Sequence, residues 1–209
     1  DGEGWKFISA DNDINIDTIL QECEGIKDKC SDVIKLEGSI RYKRLEKYSS
    51  YIQSLTVNKR WIDLNYLYTF KKNVPVTMLS ETYKIPDDTK EQEIFAEYPH
   101  FDIYKYQLKF ALALTNIEID NGPIEILPRT SSYQFGAFIS YFSSWLAINK
   151  VMTDTKNFLS DKFIKKFYII SSPKKLTLKK GDLLIFDTRN FHKATKIISG
   201  ERKILWFYF

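Results

Sequence analysis

The sequence predicts a mostly β fold with a helical layer, an α+β protein whose strands form a sandwich or barrel. Short apolar stretches separated by turn signals occupy residues 74–131 and return in residues 174–209. Apolar residues spaced three and four apart, which indicate helices, dominate residues 1–70. The 209 residues, of which 44% are hydrophobic, are enough for one sizeable core, so we expect a single domain spanning 1–209.

The N-terminal region, residues 1–70, is predicted to be a mainly helical support layer. A short strand is expected at residues 5–8, and helical spacing runs through residues 14–30. The helical pattern then continues over residues 32–59 and is broken only at Gly38. No linker rich in Pro, Ser or Gly follows, so we expect this layer to pack on the main sheet rather than to form a second domain.

The predicted core consists of residues 74–131 and 174–209. In the first part we expect strands at residues 74–83, 98–106, 109–119 and 124–127. In the second part we expect strands at residues 175–178, 183–187, 193–197 and 201–209. Residues 132–170 contain two amphipathic helical stretches, which predict an insertion that covers a sheet face or forms a lid over a pocket.

Composition and charge argue against several function classes. The net charge is +4 and the lysines occur in scattered pairs, which predicts no nucleic-acid partner, although a mildly basic surface favours anionic substrates. Cys23 and Cys30 are predicted to lie two helical turns apart, too far for a disulfide, and indicate a reducing compartment. Without a signal peptide or long apolar run, we expect a cytoplasmic protein with no membrane partner. Because the chain begins at Asp1 rather than Met, we expect a trimmed chain or a fragment.

The two histidines of the chain stand in two separate segments that can meet in a metal site. His100 and Asp102 are two residues apart, a spacing that points both side chains to one face of a β-strand. With His192 they would complete two imidazoles and one carboxylate, the facial set of non-haem Fe(II) oxygenases, which leaves three coordination positions open. The His-x-Asp triplet alone is too short to identify a metal site, and His192 could equally be a hydrogen-bonded structural histidine at a strand end. The flanking sequence therefore decides between a metal site and a structural role.

A predicted hairpin brings Arg202 to the same face as this candidate site. If residues 198–200 form a three-residue loop that ends in a glycine with positive φ, Ile197 pairs with Glu201. Arg202 then lies on the face of His192, about 13 Å away along the strands. 2-Oxoglutarate would chelate iron through its 2-oxo group and adjacent carboxylate, and its far carboxylate requires a fork-shaped, permanently charged partner such as arginine. A two-residue loop would turn Arg202 to the opposite face.

Two stretches of the sequence resemble the phytanoyl-CoA dioxygenase family of Fe(II)/2-oxoglutarate-dependent oxygenases. They are residues 109–128, with the turn Asp120-Asn121-Gly122-Pro123, and residues 181–186, followed by His192 and Arg202. The resemblance covers about residues 74–209. It implies a double-stranded β-helix (jelly-roll, cupin-like) core packed by the N-terminal helices and the helical insertion. It also implies iron held by His100, Asp102 and His192 as the catalytic centre, 2-oxoglutarate anchored by Arg202, and O2 as the oxidant.

The sequence departs from that family at two places. Where the family commonly has Pro-Gly-Ser-His, this chain has Pro128-Arg129-Thr130-Ser131, which affects substrate handling. Where the family commonly has a serine two residues after the distal histidine, this chain has Ala194, which removes a hydrogen bond expected at the cosubstrate. Arg129 could meet an acidic group of the substrate, and Lys109 could reach the site. We nevertheless expect Arg129 to be a surface residue and Lys109 to point outward from its strand.

These observations together predict an Fe(II)- and 2-oxoglutarate-dependent dioxygenase that hydroxylates a small molecule and releases succinate and CO2. The carboxylate of Asp102 favours a hydroxylase over a halogenase, in which a small residue at this position makes room for halide. One alternative is a cupin-type metal enzyme that keeps the triad but uses no 2-oxoglutarate and does not need Arg202. The other is a catalytically inactive jelly-roll binding module. No motif identifies the substrate, its binding residues or the oligomeric state.

Overall fold

The protein was analysed as a computed structural model, which describes residues 3–9, 14–36, 38–85, 99–102, 106–131 and 171–209. Ten strands lie in these residues: β1 (Trp5–Ser9), β2 (Val33–Leu36), β3 (Ser39–Lys43), β4 (Val76–Tyr83), β5 (Leu108–Ala113), β6 (Ile124–Ile126), β7 (Lys174–Leu176), β8 (Asp182–Asp187), β9 (His192–Ala194) and β10 (Glu201–Tyr208). The helices there are α1 (Ile16–Ile26), α2 (Ser50–Thr56) and α3 (Lys59–Thr69), with a 3-10 turn at Leu45–Lys47.

The strands form two sheets whose inner faces pack on each other. The larger sheet is antiparallel, in the order β1-β8-β5-β10-β4-β3-β2, and the smaller one has the order β7-β6-β9. Ala111, Leu184 and Ile204 of the large sheet pack with Ile124 and Ile126 of the small sheet in one buried apolar cluster. Two facing antiparallel sheets around a shared apolar core make a double-stranded β-helix, so the predicted fold class is confirmed.

The outer face of the large sheet is covered by the N-terminal helices. Residues in a strand alternate between the two faces, and Phe110 and Phe207 therefore point away from the inner cluster. Trp61 of α3 packs edge-on against both rings, with centroid distances of 5.8 Å to Phe110 and 4.8 Å to Phe207. The helices are thus a supporting layer, and the inner faces of the sheets remain available for a site.

The prediction of continuous helix over residues 32–59 is wrong at its start. Val33–Leu36 and Ser39–Lys43 form an antiparallel hairpin, and the second strand continues the large sheet by pairing with β4. Gly38 lies in the connection with φ of +66°, a conformation that glycine adopts without steric cost and that ends any helical pattern. The region of residues 1–70 therefore contains three strands in addition to its helices.

The predicted hairpin between residues 193–197 and 201–209 is also wrong. β9 pairs with β6 in the small sheet, whereas β10 pairs with β4 and β5 in the large sheet. Gly200 has the expected positive φ, +72°, but the chain uses it to cross between the sheets. Crossing lets the strands on both sides bury apolar side chains in the space between the sheets, which a local hairpin would not achieve.

Several other predictions can be compared with the described residues. The strands expected at residues 5–8, 74–83, 124–127 and 183–187 are confirmed, with ends that differ by one or two residues. The strand expected at residues 109–119 is present but already ends at Ala113. Of the strand expected at residues 98–106, the described part has only an isolated bridge at His100. The expected insertion at residues 132–170 and the turn near residue 86 lie outside the described residues. None of the described helices is long and apolar enough to cross a membrane, and the cytoplasmic location stays a prediction.

Candidate metal centre

His100, Asp102 and His192 meet at one edge of the small sheet. The amide of His100 donates to the carbonyl of His192 at 3.0 Å, and the amide of His192 donates back at 2.8 Å. Two residues further along, the amide of Asp102 donates to the carbonyl of Thr188 at 3.0 Å. The segment containing His100 and Asp102 is therefore held antiparallel to the loop that leads into β9. This backbone pairing, rather than a long strand, brings the three side chains together.

The distances within this triad fit one bound metal ion. Oδ1 of Asp102 lies 3.8 Å from Nε2 of His100 and 3.8 Å from Nε2 of His192, and all three ligand atoms lie within 4.8 Å of one another. Ligand atoms that each sit about 2.1 Å from a shared ion can be at most about 4.2 Å apart. Both carboxylate–imidazole pairs satisfy this limit, and the pair of imidazole nitrogens, within 4.8 Å, exceeds it by about 0.6 Å at most.

The orientation of His192 is determined by the loop that precedes it. Nδ1 of His192 donates to the carbonyl of Asn190 at 2.9 Å, which leaves Nε2 deprotonated and directed at the triad. The fully buried side chain of Asn190 accepts a hydrogen bond from the amide of Ser131 at 3.0 Å, and this contact anchors the loop. Burial lowers the pKa of His192 to about 3, although Asp102 opposes the change. The imidazole is therefore neutral near pH 7, as a metal ligand must be.

Lys109 forms an ion pair with the second carboxylate oxygen of Asp102, so the prediction that Lys109 points outward is wrong. Lys109 pairs in register with Phe186 and Tyr208, and all three line the inner cavity. Burial alone would raise the pKa of Asp102, but the Lys109 ammonium and the two imidazoles lower it overall. The carboxylate is therefore ionised, with Oδ2 directed at the lysine and Oδ1 directed at both histidines.

Arg202 lines the same cavity as the triad. Its side chain is buried, Nη1 donates to the carbonyl of Gly122, and Nη2 lies 3.5 Å from Oγ1 of Thr82. The sequence predicted that Arg202 and His192 share a face through a hairpin. The structure brings them to one cavity instead from strands of opposite sheets, β10 and β9. Both residues line one cavity, but the predicted hairpin pairing and the shared strand face are wrong.

The cavity between the sheets has a volume of about 170 Å³. Besides the triad, its polar lining residues in the described part of the chain are Arg41, Ser80, Lys109, Lys193, Arg202 and Tyr208. Sequence reasoning missed Arg41 because its segment was interpreted as helical, and a strand interpretation with inward alternation would have found it. Arg129 lies outside the cavity lining and is exposed, as predicted for a surface residue.

Comparison with known proteins links this geometry to solved structures. No protein-family model and no curated protein matches the chain. The epimerase SnoN, in a complex with Fe3+, alpha ketoglutarate and nogalamycin RO, matches with a TM-score of 0.67 and 12% identity over 99% of this chain and 78% of that chain. EctD from S. alaskensis, with 2-oxoglutarate and 5-hydroxyectoine, matches with a TM-score of 0.70 and 13% identity over 100% and 72% of the two chains.

A third similar structure is HygX from Streptomyces hygroscopicus, with nickel, 2-oxoglutarate and hygromycin B bound. It matches with a TM-score of 0.63 and 12% identity over 99% of this chain and 82% of that chain. Identities this low establish the fold alone, and the resemblance to the phytanoyl-CoA dioxygenase family stays a prediction. The chain therefore has the double-stranded β-helix fold that these 2-oxoglutarate-binding proteins share.

Proposed function

We propose that this protein is an Fe(II)- and 2-oxoglutarate-dependent dioxygenase that hydroxylates a small molecule. The observation that carries the proposal is the convergence of His100, Asp102 and His192 on a cavity that also contains the buried Arg202. The Fe3+ of SnoN, the nickel of HygX and the 2-oxoglutarate bound by SnoN, EctD and HygX, which have the same fold, support it. Membership of the phytanoyl-CoA dioxygenase family is part of the same proposal.

His100, Asp102 and His192 would hold iron through two imidazole nitrogens and one carboxylate oxygen. Iron bound there would supply the chemistry of oxygen activation and of cosubstrate chelation. His192 enters the site neutral, with its Nε2 fixed by the Nδ1 hydrogen bond to the carbonyl of Asn190. Lys109 holds Oδ2 of Asp102, so the carboxylate offers only Oδ1 and would bind in a monodentate manner. A monodentate carboxylate leaves positions free for the cosubstrate and O2.

Arg202 would bind the far carboxylate of 2-oxoglutarate. The guanidinium is always charged and its planar fork matches a carboxylate, and Thr82 beside it offers a hydroxyl to the same anion. Overall, 2-oxoglutarate, O2 and a substrate C–H bond would yield succinate, CO2 and a C–OH group. Ala194, which lines the same cavity, contributes no side-chain hydrogen bond there.

The residues of the site favour hydroxylation over halogenation. Asp102 retains the carboxylate that a halogenase replaces with a small residue to admit halide. Proteins of this fold include the epimerase SnoN and the carbocyclase SnoK, so the fold alone does not select the reaction. The presence of 5-hydroxyectoine in EctD supports a hydroxylating member with a comparable architecture.

The test is anaerobic addition of Fe(II) and then 2-oxoglutarate, monitored by the visible charge-transfer band of chelated 2-oxoglutarate. We expect the band in the wild-type protein, its loss in His100→Ala, and its appearance only at higher 2-oxoglutarate concentration in Arg202→Ala. Arg129→Ala removes an exposed arginine outside the cavity and serves as the matched control.

Each alternative function gives a different result. Folded, metal-loaded protein without the band would contradict the proposal and favour a cupin-type metal enzyme. Failure to bind metal as well would favour a binding module. An Arg202→Ala variant with unchanged 2-oxoglutarate affinity would contradict the assignment of Arg202 alone.

A further inference from the structure

We infer that the substrate of this site is an anion and that Arg41 binds its carboxylate or phosphate group. The inference rests on the proposed function and names the substrate class of the same cavity. Three observations carry it: the position of Arg41 on the inner sheet face, the lack of a side-chain partner among the described residues, and the balance of charge along the cavity wall.

Arg41 lies on the inner face of the large sheet, beside the cosubstrate position rather than in it. In the sheet register Arg41 pairs with Ser80, and Ser80 pairs with Ile204 of β10. Arg202 lies one inward position further along β10, opposite Thr82. The Cα atoms of the two arginines are therefore two strands and two residues apart, roughly 12 Å at the usual strand spacing and rise.

Arg41 has no ionic or hydrogen-bonding partner within the described chain. Its Nε is buried and forms no hydrogen bond with any described residue, and no described carboxylate forms an ion pair with it. Both Arg41 and Arg202 line the main cavity and also a second, small cavity of about 30 Å³. A partly buried guanidinium without a counterion is costly unless an anion completes it. The geometry therefore supplies an anion site that none of the described residues fills.

The charges along the cavity wall leave Arg41 unmatched even after the cosubstrate binds. Asp102 is the only acidic residue among the described lining residues, and Lys109 contacts it. Lys193 has Glu125 at 3.7 Å just outside the lining. In the proposed complex the far carboxylate of 2-oxoglutarate neutralises Arg202, while its other carboxylate and Asp102 neutralise Fe(II). Arg41 and the ammonium of Lys109 then remain as positive charges that face the substrate space.

Arg41 is better placed for the substrate than for the cosubstrate. A five-carbon dianion that joins the triad to Arg202 occupies the wall formed by β10 and β9, where Arg202 and His192 lie. Arg41 approaches from β3, on the far side of β4. An anionic group on Arg41 would thus hold a substrate beside the chelated cosubstrate without competing for Arg202.

The experiment measures binding of matched charged and uncharged probes to the anaerobic Fe(II)·2-oxoglutarate complex by calorimetry. The pairs are benzoate against benzamide and phenyl phosphate against phenol, and they separate a carboxylate from a phosphate preference. The charge-transfer band is followed throughout, because its persistence shows that 2-oxoglutarate stays bound. We expect at least one anion to bind roughly tenfold or more tightly than its uncharged partner.

The variants connect the preference to Arg41. Arg41→Gln should lose the preference for the anion, and Arg41→Lys should retain part of it. The affinity of Arg41→Gln for 2-oxoglutarate should stay within about threefold of that of wild type. Lys43→Gln removes a positive charge from the same strand face outside the cavity lining and should behave as wild type.

A wild-type protein without preference for either anion overturns the inference. An Arg41→Gln variant whose 2-oxoglutarate affinity falls as in Arg202→Ala overturns it too, since Arg41 would then serve the cosubstrate. Absence of the band in wild type contradicts the proposed function instead.

Discussion

Replacing Lys109 by Met tests whether this lysine holds the carboxylate of the metal centre. The two groups are in direct contact, and their side chains are only 13% and 23% exposed. Breaking a fully buried ion pair costs about 3–5 kcal/mol, whereas exposed pairs contribute about 0–1 kcal/mol. The partial burial of this pair lies between these limits. We therefore expect a coupling free energy of about 1–3 kcal/mol between Lys109 and Asp102 in metal-free protein.

The assay is a double-mutant cycle of Lys109→Met and Asp102→Asn, measured by urea unfolding in the presence of a chelator. The matched control is the cycle of Lys59→Met and Asp63→Asn, a contacting Lys–Asp pair on α3 whose side chains are 88% and 47% exposed. Because that pair is solvated, its coupling should not exceed about 0.5 kcal/mol.

Metal binding provides a second, independent measurement on the same variant. A divalent ion at Oδ1 replaces the lost positive charge beside Asp102, and removal of Lys109 also removes repulsion of the ion. We expect Lys109→Met to bind Mn(II) roughly tenfold more tightly than wild type, about 1.4 kcal/mol. Coupling no larger than in the control pair, together with unchanged Mn(II) affinity, would refute the reasoning.

Three further predictions concern other parts of the molecule. Gly122→Ala should weaken 2-oxoglutarate binding about tenfold in a calorimetric titration. Gly122 has a φ of +71°, and a Cβ there would lie 2.5 Å from a backbone oxygen and displace the carbonyl that Arg202 contacts. Gly25→Ala, at a position in α1 with open space around it, should leave that affinity unchanged. Burial raises the pKa of Cys23 from 9.0 to about 12, so the native state keeps a proton that the unfolded state loses. The stability that this thiol contributes is present below pH 9 and is lost as the pH rises towards 12. Between neutral pH and pH 10, the free energy of unfolding in urea should therefore fall by about 1.4 kcal/mol less in Cys23→Ala than in wild type. Equal decreases in the two proteins would exclude the effect. Glu81→Gln should cost about 2–4 kcal/mol in urea unfolding, because the carboxylate is 2% exposed and lies 2.8 Å and 3.6 Å from the ammonium groups of Lys27 and Lys203. These lysines would keep only the more exposed carboxylates of Glu24 and Glu201, and a loss below about 0.5 kcal/mol, typical of a surface position, would contradict the prediction.

Local sequence patterns predicted most strands of the core. β8 and β10 are apolar runs that each follow a glycine turn, and these turns indicate where the strands begin. The same method was misled at residues 32–44, where apolar residues fit both a helical and a strand period. A short apolar run is ambiguous because it contains too few residues to distinguish a helical period of 3.6 from a strand period of two.

The residue types of the site could be predicted from the sequence, but the strand pairing that brings them together could not. The two histidines, Asp102 and Arg202 were identified because few residue types ligate iron or bind a carboxylate in a fork geometry. Their approach to one another depends on pairing between distant segments, such as the bridge between His100 and His192. Lys109 was misjudged for the same reason, since its partner is absent from its own stretch of sequence.

The sequence by itself determined the class of fold, the positions of most strands and the chemical identity of the candidate ligands. These properties depend on local periodicity, on glycine turns and on the donor atoms of individual side chains. The tertiary structure alone decided that β9 and β10 belong to opposite sheets and that Arg41 faces the same cavity as Arg202. Which strands pair is set by the burial of both inner faces against each other, a long-range free-energy gain that no local pattern encodes.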